Sequence, residues 1–287
     1  MTERYRLYGD FESRETIALT SILMAKGLSV DFVEEAPSLS YLLEARSGQE
    51  QGPYLRTPDG FVLGGLHRIL DWLDRMHPEH MLMPQTPVRR ICARILEDWI
   101  DYWLPLWPRR SWETVGSLGR HLARSGCLLG RRPTRPDWLL AAWLESDVLG
   151  RSKAHEQLAF VAPGLLGFAE GLLDSEMDGE KVDAIPISLL GVLEELARDY
   201  HCYLALNQRA LKDRGDRVVM DLGLGKWGFP VRRECEIRRL ETAEELKVMC
   251  PEARNAVRSV LEPVGAWHVL TLPSVFEEMS VSDPRSL

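Results

Sequence analysis

No cysteine stands before Cys92. The five in the chain, Cys92, Cys127, Cys202, Cys235 and Cys250, include no Cys-x-x-Cys pair. Their odd number and wide spacing argue against a disulfide framework and for reduced, structural thiols. The stretch before Cys92 therefore carries no redox thiol of its own. Long apolar runs are also missing: none approaches the ~20 residues that cross a bilayer. The opening MTERYRLYGD lacks the apolar core of a secretory leader, so a cytoplasmic protein with no membrane association is expected. Positive charge is in deficit, 35 Lys and Arg against 43 Asp and Glu, a net charge of −8. That argues against a general binder of nucleic acid or anionic membrane, while leaving room for a local basic patch around Arg131 and Arg132. No Gly-x-Ser-x-Gly elbow is present to support a hydrolase triad. His77-Pro78-Glu79-His80 has two close histidines but no third ligand, and reads as a solvated loop, so no metal site is expected. His121, His155, His201 and His268 are scattered singly.

What is present suffices for two domains and a sizeable core: 287 residues, 45% of them hydrophobic. Arg4 to Tyr8 reads as a strand with Tyr5 and Leu7 on one face. Ser13 is a fitting N-cap for a helix that carries Ala18, Leu19, Ile22 and Leu23 and stops at Lys26-Gly27. Leu28, Val30 and Phe32 alternate as a second strand, and residues 36–51 show no clear pattern. Pro53 to Thr57 and Phe61 to Leu63 form a strand pair turned by Pro58-Asp59-Gly60. A helix follows with Leu66, Ile69, Leu70 and Leu73 on one face, and Pro78, Pro84 and Pro87 mark a linker.

From Val88 the pattern is helical. Ile91, Ile95, Trp99 and Tyr102 form a stripe, and Thr134 with Asp137 forms a capping box before another helix. Helices are expected at 156–174, 186–213, 241–249 and 252–262. Val218 to Val231 reads as a small β-hairpin.

Leu7-Tyr8, Ser13, Gly27, Pro53, Asp59-Gly60, Ile69 and Trp72-Leu73 recur in this order at plausible spacing. With the segment Leu129 to Asp137 and Tyr203-Leu204-Ala205-Leu206-Asn207, they resemble a glutathione S-transferase of the bacterial type with an extended C-terminal domain. The resemblance implies an α/β thioredoxin-like N-terminal domain over 1–78. It implies an all-α C-terminal domain over 88–287, with the small β-hairpin late in the chain. It also implies glutathione as cofactor, a small apolar electrophile as substrate, and a homodimer.

By this resemblance, Ser13 stands where a hydroxyl stabilises the cofactor thiolate, and Tyr8 is the alternative. A plain N-cap and a packed strand aromatic are the structural readings of the same two residues. Pro53 resembles the family's cis-proline, which presents the Gly52 backbone to the cofactor. Gly65 and Leu66 stand where the family has Glu or Gln followed by Ser, so the side chains that hold the γ-glutamyl end are missing. Gly65 is left with a backbone N–H to offer. Asp10 and Glu12 would repel a thiolate, and Arg14 at the cofactor site would offset part of that. Trp99 and Trp103, with Trp107 and Trp112, either wall a substrate pocket or fill a core. The helical pair after the linker looks short for the family. The expected function is thiol addition to the electrophile. The alternatives are a non-catalytic ligand- or protein-binding member, or an enzyme using a different thiol.

Overall fold

The computed structural model describes residues 4–34, 37–109, 112–149, 152–173, 182–223 and 225–276. In chain order the elements are β1 (Tyr5–Gly9), α1 (Arg14–Ala25), β2 (Val30–Glu34), α2 (Pro37–Ser47), β3 (Tyr54–Arg56), β4 (Val62–Gly64) and α3 (Leu66–Met76). Then follow α4 (Pro87–Tyr102), α5 (Trp112–Ser125), α6 (Arg135–Trp143), α7 (Ser152–Val161), α8 (Phe168–Leu173), α9 (Ile187–Leu196) and α10 (Cys202–Lys212). The last are β5 (Arg217–Asp221), β6 (Lys226–Pro230), α11 (Arg233–Val248) and α12 (Pro251–Leu261). They form two compact units: residues 1–84 with 131–180, and residues 85–130 with 181–287.

The first unit is built on a four-stranded sheet of order β2-β1-β3-β4. β1 and β2 are parallel, which requires a crossover, and α1 supplies it. β3 is antiparallel to both β1 and β4. The alternation along β1 sets the faces. Leu7 lies opposite Leu55, and both are fully buried. Tyr8, on the other face, lies opposite Tyr54 and packs with Leu43, Val62, Val33 and Leu39. α1 buries Ala18, Leu19, Ile22 and Leu23, and α3 buries Leu66, Ile69, Leu70 and Leu73, as their spacing predicts.

α2 fills the segment where the sequence shows no pattern, and the reason is physical. Leu43 is buried, while its neighbours Tyr41 and Leu42 are 80% and 51% exposed. Its apolar residues thus point both ways and leave no stripe.

Residues 131–180 pack with the first 84, whereas the sequence groups them with the rest of the helical part. α6 lies against α1, and the join is polar as well as apolar. Arg135, fully buried, pairs with Asp71, and its N–H donates to the Leu82 carbonyl at 3.3 Å. Arg132 Nη2 donates to the Met81 carbonyl at 2.8 Å. The expected capping box is in place: the Asp137 carboxylate accepts from Thr134 N at 2.8 Å and Thr134 Oγ1 at 2.7 Å.

The second unit centres on α4, which packs against α11 and α12. The Asp183 carboxylate caps its start, accepting from Val88 N and Arg89 N at 3.1 and 3.2 Å. Arg94, Glu97 and Asp98 of α4 are all buried and meet Arg238 and Glu245 of α11. The expected hairpin is present as β5 and β6, with Val218, Met220 and Phe229 on its buried face. α10 holds it: Asn207 Nδ2 donates to the Arg232 carbonyl, Arg232 N donates to Asn207 Oδ1, each at 2.8 Å, and Tyr203 Oη donates to the Pro230 carbonyl at 2.9 Å.

Candidate functional site

The site begins where β1 ends and α1 starts. The Asp10 carbonyl accepts from Ser13 N at 3.1 Å, and Asp10 Oδ1 accepts from Glu12 N at 2.9 Å. This turn brings Ser13 to the N-cap in an extended conformation. Ser13 Oγ accepts from Thr16 N at 3.2 Å and donates to Thr16 Oγ1 at 2.8 Å. Its hydroxyl hydrogen therefore lies within the cap. The N-terminal end of α1 favours negative charge there. Asp10 and Glu12 are exposed to solvent beside it.

Gly9 lets α1 come close. A Cβ on it would lie 2.4 Å from Thr16 Oγ1 and 3.5 Å from Pro53 Cβ. Pro53 and Thr16, the latter hydrogen-bonded to Ser13, thus meet at one glycine. The Gly52–Pro53 peptide is cis, as the resemblance implies. Among the described residues no hydrogen bond engages the Gly52 backbone. Gly65 adopts φ +81°, where a side chain is unfavourable. Its N–H donates to the Pro53 carbonyl at 3.2 Å, and its carbonyl accepts from Ile69 N at 3.1 Å.

The other residues named from the sequence have the following surroundings. The Gly65 N–H, expected to face a cofactor, is committed to Pro53 in the turn between β4 and α3. Leu66 is buried as the first residue of α3 and belongs to its core face. Arg14 is engaged by Glu15 at 3.2 Å and by Asp147 at 3.9 Å. Tyr8 is a packed aromatic between Tyr54 and Leu43. Trp99 and Trp103 are buried in the second unit, with Trp103 5.7 Å from the Tyr200 ring, 5.4 Å from Tyr203 and 5.5 Å from Phe229, centroid to centroid. That is core packing. The side chains of Trp107 and Trp112 lie outside what the structure describes.

The sequence reading passed over Gly9 and Thr16. A glycine directly after the strand and a threonine three residues past a serine cap were the available signals. Asp147, 133 positions from Arg14, left no signal. His77 accepts or donates a 2.9 Å hydrogen bond with Tyr5 Oη and packs on its ring. Among the described residues no three His, Cys, Asp or Glu side chains are placed to hold a metal. No helix among them is long and apolar enough to cross a membrane. Cys92 and Cys235 are buried, and burial pushes both thiols up to about 12, which removes them as nucleophiles.

No protein-family model matches this sequence, and no curated protein matches it. Solved structures do. A glutathione S-transferase of Methylobacterium radiotolerans, in complex with glutathione sulfonate, is 21% identical, with 64% of this chain and 100% of that one covered at a TM-score of 0.47. A rice enzyme in complex with glutathione is 19% identical over 61% and 92% of the two chains, TM-score 0.48. A Tau-class glutathione S-transferase of mango, Mangifera indica, is 15% identical over 62% and 91%, with a TM-score of 0.50. The likeness to the mango protein carries the fold: a thioredoxin-like N-terminal part followed by a helical part.

Proposed function

We propose that this chain, having the glutathione S-transferase fold, binds a thiol of the glutathione class at the N-terminal end of α1 and adds it to a small apolar electrophile. The observation that supports this reading is the meeting of Pro53 with Thr16, the residue hydrogen-bonded to the Ser13 cap, at Gly9. Gly52 has backbone groups free for an added strand, the mode in which an extended peptide is held. Ser13 Oγ–H, turned from Thr16 towards the ligand, donates to an anionic sulfur, and the α1 dipole favours the same charge. When bound, the thiol supplies the nucleophile.

The γ-glutamyl end fits less well. Gly65 has no side chain, and its N–H is already used. Each charge-assisted hydrogen bond lost there is worth ~1.5–3 kcal/mol, or one to two orders of magnitude in affinity. Millimolar binding is therefore expected. Calorimetry with glutathione up to several millimolar tests it. Saturable heats that weaken with Ser13→Ala, together with a raised pKa of the bound thiol in that variant, agree with the reading. Saturable heats that Ser13→Ala leaves unchanged remove Ser13 from it.

A second reading has its own observation. With Gly65 N–H committed to Pro53 and Leu66 in the core, a non-catalytic member would hold a different ligand or a protein on the same frame. Absence of any glutathione heat favours it. We propose a homodimer in the cytoplasm for either case, and light scattering after size-exclusion chromatography checks the dimer.

A further inference from the structure

The second unit places a serine hydroxyl on a buried histidine. His121 of α5 is 1% exposed. Its Nδ1 lies 2.8 Å from Ser188 Oγ, and its Nε2 lies 2.9 Å from the Leu128 carbonyl. These contacts decide the tautomer. A carbonyl oxygen only accepts, so Nε2 carries the hydrogen. Ser125 Oγ is 3.3 Å from Nε2 but donates to the Cys127 carbonyl at 2.7 Å, leaving that hydrogen unavailable to the ring. Nδ1 then holds a lone pair, and Ser188 Oγ–H donates to it. The base is oriented from behind by Leu128 and faces the hydroxyl in front, as an activated serine requires.

Ser188 itself is reachable. It is partly exposed and sits at the second position of α9, a ten-residue helix. Leu189 N donates to the Pro186 carbonyl, whereas the N–H groups of Ile187 and Ser188 have no acceptor among the described residues. Such N–H groups at a helix start suit an oxyanion. The adjoining Ile187 side chain is 85% exposed. Burial holds the His121 pKa below its ordinary value, against the opposing pull of Leu128, which keeps the imidazole neutral and able to accept a proton.

We infer that Ser188 and His121 form a nucleophilic dyad that cleaves small esters of apolar alcohols or phenols. Ser188 Oγ attacks the ester carbonyl carbon while its proton passes to His121 Nδ1. The carbonyl–oxygen bond to the alcohol breaks, and that proton leaves on the alcohol. Water then attacks the acyl-serine, giving its proton to His121, and the acid departs as Ser188 regains its hydrogen. No further reactant is needed. The residues are 67 positions apart and share no motif, which is why the sequence shows neither the pair nor its spacing.

The test is p-nitrophenyl acetate with the full chain, read by p-nitrophenol release and by peptide mapping of the acetylated protein. A fluorophosphonate label serves as a second probe. The expected result is acetyl and fluorophosphonate groups on Ser188. Release should fall to the background of surface acetylation in Ser188→Ala, a partly exposed position. In His121→Gln, shown to be folded by circular dichroism, labelling of Ser188 should slow by ~100-fold, the usual reach of general-base assistance. Ser188 unlabelled by both probes overturns the dyad. So does release that Ser188→Ala leaves unchanged, or full labelling of Ser188 in folded His121→Gln.

Discussion

Both units bury an ion pair, and they satisfy it in opposite ways. In the first, Lys26 Nζ donates to Asp74 Oδ1 at 2.6 Å and to the His80 carbonyl at 2.7 Å. Asp74 also accepts from Leu82 N at 3.1 Å and Met83 N at 3.0 Å. Backbone donors complete the carboxylate, and the pair ties the proline-rich segment after α3 to α1. In the second unit, Asp98 has Arg238 Nε at 2.8 Å, but that guanidinium is shared with Glu97 at 3.4 Å and Glu241 at 2.8 Å. Burial, reinforced by Glu97 and Asp101, pushes Asp98 up to about 6 against the pull of Arg238. A buried charge is well held when fixed backbone dipoles complete its shell, and poorly held when several carboxylates compete for one cation.

The largest effect expected is from Asp74→Ala. It strands Lys26 in the interior, and breaking a buried pair from one side costs ~3–5 kcal/mol, read from urea unfolding. A loss below ~1 kcal/mol would mean that Lys26 finds water and that the first half of the contrast is wrong.

Asp98→Asn sharpens the other half through pH. The folded pKa of Asp98 is raised above the ordinary carboxylate value, so the folded state holds this proton more tightly than the unfolded chain. The penalty is absent below about 3.8 and fully present above about 6. Wild-type stability therefore falls relative to Asp98→Asn as pH rises through that window, by ~3 kcal/mol at 1.36 kcal/mol per pKa unit. Unfolding of both proteins at pH 4 and pH 7 measures it, and parallel curves would remove the strained carboxylate. Glu245 runs the other way. Burial raises it, but Arg94 and Arg90 bring it down overall, so its contribution is lost on acidification, equally in both proteins.

Smaller effects concern the backbone-built site of the first unit. Gly9→Ala sets a methyl against Thr16 Oγ1 and is expected to cost ~1–3 kcal/mol. It should also displace Thr16 from Pro53, which amide chemical shifts of both regions would report. Ser13→Ala removes the cap of α1 and is expected to cost ~1 kcal/mol, visible as a lowered thermal midpoint. A larger loss would mark Ser13 as more than a cap in the fold.

The strands, most helices, the Asp59-Gly60 turn and the late hairpin were legible because each follows from local periodicity or turn chemistry. α2 was not, since its apolar residues face both ways. Ser13 could be read from the chain as a cap, which marks itself locally, whereas Gly52 and Pro53 were named through the family resemblance. The Gly9–Thr16 approach could not, as it depends on how closely a helix settles on a strand end. Lys26 could be read only as the end of a helix, and its partner 48 positions away was invisible.

The sequence alone determined what depends on neighbours along the chain: where helices start, where glycine and proline turn the backbone, and which faces are apolar. Only the tertiary structure decided which polar groups are already used. It committed Gly65 N–H to Pro53, Arg14 to Glu15 and Asp147, and Trp103 to an aromatic core. It also set Ser188 on a histidine 67 residues away. The reason is that a buried donor or acceptor must find a partner, and which partner it finds is set by packing between distant segments rather than by the residues beside it.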